Sequence, residues 1–194
     1  MKLATFISII VLIIGCAGCA YASGDPKPNP QISKMAREYY KEKEDTQAFR
    51  AAMALLEKPA PPLTLHGWRG EPVDLAKAKG KIVVIDFWAT WCQPCIQNIP
   101  HTNEIFSKYA SKGVLVFGAC SPRGSQTMNK VADENKMLYP TAKMLTRDIA
   151  AWTIDFWPTI AIIDRHGRVR ALGLQPEHIA DVLDQLLIEQ PADK

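Results

Sequence analysis

Phe87-Trp88-Ala89-Thr90-Trp91-Cys92-Gln93-Pro94-Cys95 follows the apolar, β-branched run Ile82-Val83-Val84-Ile85-Asp86. The run reads as a buried strand, and a helical pattern opens at Pro94. Two thiols separated by two residues at such a strand-to-helix turn can close a small disulfide without moving the backbone. The first thiol then sits at the helix N-terminus, where unpaired backbone N–H groups and the macrodipole favour a thiolate. At about pH 7 a thiol of pKa near 8.5 is only a few per cent ionised, whereas one lowered to about 7 is roughly half ionised. Cys92 is therefore a candidate nucleophile for thiol–disulfide exchange.

The surrounding chain of 194 residues is long enough for one domain with a full core plus extensions. Its net charge is +3, and Lys2 is the only charged residue of the first 22. So small and evenly spread a charge argues against nucleic acid as a partner. Lys2 precedes the apolar stretch Leu3 to Ile14 and the small residues Gly15 to Ala20. That is the order of a secretory signal, and it predicts export to the periplasm or another extracytoplasmic space. Three forms of this segment stand open. Ala20-Tyr21-Ala22 fits cleavage before Ser23, Ile13-Ile14-Gly15-Cys16 resembles a lipobox that would leave Cys16 acylated, and Leu3 to Ala22 approaches the length of an uncleaved anchor.

Of five cysteines, Cys16 and Cys19 fall in this targeting segment, leaving Cys92, Cys95 and Cys120. Three cysteines in an oxidising compartment suit one redox pair and one isolated thiol, not a disulfide framework. A zinc site would need further clustered ligands, and His66, His101, His166 and His178 are scattered singly. No metal or other cofactor is expected beyond the cysteine pair.

Residues 1–22 thus form the signal or anchor, 23–58 a proline-containing linker and helical extension, and 59–190 the main domain. Within it, Leu63–Leu65 and Pro72–Leu75 read as a short N-terminal β-hairpin. Lys81–Trp88 is a strand, Pro94 to about Lys112 a helix, and Val114–Ala119 a second strand. Thr127–Lys136 and Arg147–Trp152 are helical. Ile160–Ile163 and Val169–Leu172 form a terminal hairpin around His166-Gly167, and a last helix starts at Pro176. This order predicts an α/β domain with a central mixed β-sheet flanked by helices.

With its motifs, the order resembles the thioredoxin fold, and in particular the exported TlpA/ResA-like, or redoxin, branch. The resemblance covers roughly Pro59 to Glu189. It rests on Asp86-Phe87-Trp88-Ala89-x-Trp91-Cys92-x-Pro94-Cys95, on Pro100, on Gly80-Lys81-Ile82, on Trp157-Pro158-Thr159 before a strand, and on Asp164-x-x-Gly167. It implies that Cys92 attacks, that Cys95 resolves the mixed disulfide, and that the two pair as a redox disulfide. It also implies that Pro158 is a cis-proline against the pair. Trp91, Pro94, Trp157 and Pro158 would then contact an extended client segment, with Trp91 and Trp88 forming an apolar platform unless Trp88 is plain core. Asp86, a carboxylate in an apolar strand, would take the proton of Cys95. The branch often has asparagine at that strand position and glutamate three residues after the second cysteine. This chain has Asp86 and Asn98, so the acid stands where classical thioredoxins carry it.

The function expected is an extracytoplasmic protein-disulfide reductase acting on client proteins with cysteine pairs. Its electrons would come from a membrane donor, with apocytochrome c reduction the foremost assignment by resemblance. Gln93-Pro94 places no cation beside Cys92, in keeping with a reducing pair. The alternatives are a disulfide oxidant or isomerase, a thiol peroxidase, and a non-enzymatic binding module. The peroxidase pattern puts threonine three residues before its cysteine, whereas Thr90 is two before Cys92. Cys120 is expected as a small buried residue, and oligomeric state is left open.

Overall fold

The computed structural model describes residues 28–40, 46–74, 78 and 80–189. The expected signal or anchor with Cys16, the charged stretch 41–45 and Leu75 of the expected hairpin lie outside the described residues.

β2 (Ile82–Trp88) is buried at all seven positions. It pairs in parallel with β3 (Val114–Cys120) on one side. On the other it pairs antiparallel with β5 (Thr159–Ile163). A strand covered on both edges and both faces must be apolar throughout, and that is why its sequence shows no alternation. β4 (Thr141–Met144) joins β3 in parallel, and β6 (Val169–Leu172) closes a hairpin on β5. β1 (Leu65–Arg69) completes a six-stranded mixed sheet of order β1-β4-β3-β2-β5-β6.

Successive residues of β2 face opposite sides. Asp86 reaches Tyr139 beneath α3 (Gln93–Tyr109), whereas the Phe87 ring lies 5.2 Å from that of Trp152, which caps α5 (Thr146–Ala151). Helices therefore cover both faces, as expected. α4 (Met128–Glu134) precedes β4, and α6 (Ile179–Ile188) packs near the end of α3, where the Tyr109 hydroxyl donates to Asp184 at 2.9 Å.

Two sequence expectations need correction. The N-terminal hairpin is not formed among the described residues: β1 runs antiparallel to β4, pairing Leu65 with Met144 and Arg69 with Thr141. Pro72 has no N–H to donate to a ladder, and Pro72–Asp74 lie outside any strand. β4 itself is absent from the sequence reading. It has four residues including Lys143, follows a proline, and takes its strand conformation from the open edge of β3.

The extension holds two helices, α1 (Pro30–Glu38) and α2 (Gln47–Leu55), capped by the Asn29 and Thr46 side chains. Ile32 and Ala36 enter the core. The chain then runs along β6: Glu57 N–H donates to Val169 O at 2.8 Å, Val169 N–H to Lys58 O at 2.9 Å, and Ala60 N–H to Gly167 O at 2.8 Å. The extension thus satisfies the free edge of the sheet. Tyr40 lies against Gly173, where φ is +77° and any Cβ would collide with the ring.

Arg170 on β6 fastens this arrangement, with only 1% of its surface exposed. It grips Glu189 through two bonds of 2.7 and 3.0 Å, and reaches Asp164 at 3.3 Å and Glu57 at 3.2 Å. Glu189 also accepts from the Asn29 N–H at 2.9 Å, so one guanidinium links α1, α2, the β5–β6 turn and the end of α6. Arg170→Met would leave three carboxylates together without their counter-charge. We expect it to lower unfolding free energy at pH 7 by about 3–5 kcal/mol, read by urea denaturation. Against the opposing effect of burial, Arg170 holds the Glu189 carboxyl below its ordinary value, so the loss should shrink as pH falls and that carboxyl protonates; a loss independent of pH would contradict this account.

Candidate functional site

At the end of β2 the chain turns through Ala89–Trp91, and Cys92 becomes the N-cap of α3. Its N–H is satisfied by Ala89 O at 3.1 Å, and its Sγ accepts from the Cys95 N–H at 3.2 Å. Pro94 fits this first turn because N–H groups there have no partner within the helix. An amide aimed at Sγ, together with the positive end of the helix, favours negative charge on that sulfur once it is reduced.

Cys92 and Cys95 are joined by a disulfide, with their Cα atoms 5.3 Å apart. Cys95 is 1% exposed and Cys92 5%. Both residues are thus buried in the closed pair. The closed bond turns the Cys92 sulfur toward the interior residue Cys95.

The aromatic residues divide. Trp88, open between platform and plain core, is fully buried in the core and donates its indole N–H to Thr141 Oγ1 at 2.8 Å. Trp91 is 49% exposed, and its ring meets that of Trp157 edge-on at 6.3 Å. The sequence reading missed what holds Trp91 in place. Its N–H donates to Arg123 O at 3.1 Å, the Arg123 guanidinium lies 5.2 Å over its ring, and Thr90 donates to Gly124 O at 3.0 Å. Gly124 has φ +81°, and a Cβ there would strike the Thr90 hydroxyl, so this loop needs glycine. The Trp157–Pro158 peptide bond is cis. Pro158 lies with Pro94, Asn98 and His101 in a shallow groove of about 310 Å³.

Asp86 is 1% exposed. Its Oδ2 accepts from the Tyr139 hydroxyl at 2.8 Å, while Oδ1 has no hydrogen-bond partner among the described residues. Burial pushes the Asp86 carboxyl up to about 6, with the Tyr139 bond opposing the rise. Tyr139 is pushed well above its ordinary value, first by burial and then by the Asp86 charge. Cys120 is fully buried, and burial pushes its thiol up to about 12, so it is not a ready nucleophile. Among the described residues no group of three or more His, Cys, Asp or Glu could hold a metal ion. No described helix is long and apolar enough to cross a membrane.

The redoxin family profile matches residues 55–187. Over 113 residues the chain is 30% identical to a thiol-disulfide oxidoreductase ResA of Bacillus cereus, covering 58% of this chain and 65% of that protein. It is 31% identical over 113 residues to thioredoxin-like protein YneN of Bacillus subtilis (strain 168), covering 57% and 66%. The chain thus spans about 65% of the length of the curated relatives it matches. A solved thiol:disulfide interchange protein of the thioredoxin family from Chlorobium tepidum TLS superimposes with TM-score 0.58 at 25% identity, covering 67% of this chain and 97% of that one. The thioredoxin domain of a thiol-disulfide oxidoreductase from Bacteroides vulgatus gives TM-score 0.61 at 22% identity, covering 68% and 97%. The fold is thioredoxin-like.

The raised Asp86 value has a consequence for stability. Its ordinary value is 3.8 and its folded value about 6. Between the two, the folded protein binds more protons than the unfolded chain, so stability falls as pH rises from about 4 to about 6, by about 3 kcal/mol in all. Asp86→Asn is neutral throughout and escapes this fall. Its urea midpoint should exceed the wild type's at pH 7–8 and converge on it near pH 4. Parallel curves across that range would show that burial does not perturb Asp86.

Proposed function

The chain belongs to the redoxin family, and from this premise we propose that it is a thiol–disulfide oxidoreductase that reduces disulfides of client proteins outside the cytoplasm. The observation that carries the reading is a redox-capable pair at a helix N-terminus, with an amide on the first sulfur and a carboxyl sealed in the strand that leads to it. In the reduced enzyme the Cys92 thiolate attacks one sulfur of a client disulfide. That S–S bond breaks, a client thiolate leaves, and Cys92 is held in a mixed disulfide. Cys95 then gives its proton to Asp86 and attacks Cys92 Sγ, releasing the second client thiolate. The client gains two electrons from the enzyme, its two thiolates take protons from water, to which Asp86 returns the Cys95 proton, and the enzyme is left with the Cys92–Cys95 bond. A dithiol donor at the membrane reverses that oxidation.

Trp91 and Trp157 offer the client an apolar contact, and Pro94 and Pro158 line the groove for its extended chain. The Lys2 and Leu3–Ile14 pattern supports export, with residues 1–22 as signal or anchor and Cys16 as the acylation site if the segment is a lipobox. Residues 23–58 serve as linker and helical extension and 59–190 as the thioredoxin-like unit. Apocytochrome c before haem attachment is the proposed client.

The purified protein with dithiothreitol should reduce insulin. Cys92→Ser should abolish turnover, while Cys95→Ser should accumulate mixed disulfides with clients. The pair's reduction potential separates a reductase from an oxidant. A value near about −120 mV, at the oxidising end of known pairs, would defeat the reductase assignment.

A further inference from the structure

Two pairs of polar side chains lie in the interior, one along α3 and one joining β2 to the segment before β4. Asn98 Nδ2 donates to Thr102 Oγ1 at 3.4 Å. The Tyr139 hydroxyl donates to Asp86 Oδ2 at 2.8 Å. Thr102 and Tyr139 are wholly buried, Asp86 is 1% exposed and Asn98 9%. Cys95, Asn98 and Thr102 lie at intervals of three and four residues, on one buried face of the helix.

We propose that Tyr139 is a positioning residue for Asp86: its hydroxyl engages Oδ2, fixes the carboxyl group's rotation, and leaves Oδ1 as the one acceptor free to receive a proton. This inference rests on the reading that Asp86 accepts the proton of Cys95. A carboxyl in an apolar strand has few donors to orient it, and its neighbours across the sheet, Gly118 and Ile160, supply no polar side chain. A tyrosine suits the task because it remains a hydrogen-bond donor across the working pH range. The same bond favours the ionised carboxyl and so keeps Asp86 a usable base near neutrality. Besides Tyr139, the titratable group that feels the Asp86 charge is Cys120 on β3. Cys120 stays protonated over this range and adds no charge of its own. A buried tyrosine kept only to fill space would not set the carboxyl's proton affinity.

The test compares Tyr139→Phe and Asp86→Asn in the full chain. Carbon-13 NMR of labelled aspartate side chains reads the titration of Asp86, and stopped-flow reads mixed-disulfide resolution against pH. Tyr139→Phe should raise the Asp86 midpoint from about 6 by about one pH unit. The acid limb of resolution should move by the same amount, with the alkylation rate of Cys92 unchanged. An Asp86 midpoint that stays in place overturns the proposal. The two readings fail separately. If Asp86→Asn leaves resolution unaltered at every pH while Tyr139→Phe moves the Asp86 midpoint, the proton-acceptor reading fails and the hold of Tyr139 on the carboxyl stands. If Asp86→Asn slows resolution but Tyr139→Phe moves neither quantity, Asp86 remains the acceptor and the role given to Tyr139 is wrong. Should Tyr139→Phe fail to fold, fluorotyrosine at residue 139, a stronger donor of the same shape, carries the test. A lowered Asp86 midpoint supports the hold of Tyr139 on the carboxyl, and an unmoved midpoint overturns it.

Discussion

β2 ends where α3 begins, and the abutment of a fully buried strand on a helix N-terminus dictates most of what this protein can do. Both edges of β2 are paired and both of its faces are covered. The chain can therefore leave only at the strand's end, through a tight turn, and the first helical amides there have no partner of their own. A sulfur at residue 92 supplies one. The N-cap that starts the helix is thus also the group that the helix polarises, so folding and reactivity share a single local arrangement.

The same burial makes Asp86 destabilising when ionised. It is two residues from the end of β2, inside the sheet, where a charged carboxyl is poorly solvated. The protein keeps it nonetheless, with one oxygen held by Tyr139 and the other unpartnered among the described residues. Unpartnered buried acceptors are uncommon in folded proteins, because each loses its hydration with no bond in its place. Elsewhere a buried charge meets its counter-charge, although Glu57 Oε2 also lacks a hydrogen-bond partner among the described residues. In the Arg170 cluster a guanidinium meets three carboxylates and a backbone carbonyl, far from any role in exchange.

How legible these features are in the sequence depends on how local they are. The apolar run of β2, the spacing of Cys92 and Cys95, and the helical repeat of the last helix each depend on neighbours within a few residues. Pattern reading finds them for that reason. Tyr139 meets Asp86 across 53 positions, and nothing around Tyr139 marks it as other than an aromatic before a proline. Arg123 sits in a Pro-Arg-Gly turn that reads as an ordinary loop, although its backbone carbonyl holds Trp91. β4 and the missing hairpin have one cause. Proximity in sequence assigns β1 to the nearest extended segment, whereas the open edge of β3 recruits β4, and β4 recruits β1.

The extension gains a reason from the same logic of edges. A β5–β6 hairpin at the margin of a sheet presents a row of amides and carbonyls to which any extended chain could add. Residues 57–60 occupy that row with three backbone hydrogen bonds, and α1 and α2 pack beside it. With that row filled by its own chain, β6 is closed to strand addition, whereas the groove lined by Pro94 and Pro158 stays open. Under the proposed function, covering this edge turns an extended client away from β6 and toward the face that carries the redox pair.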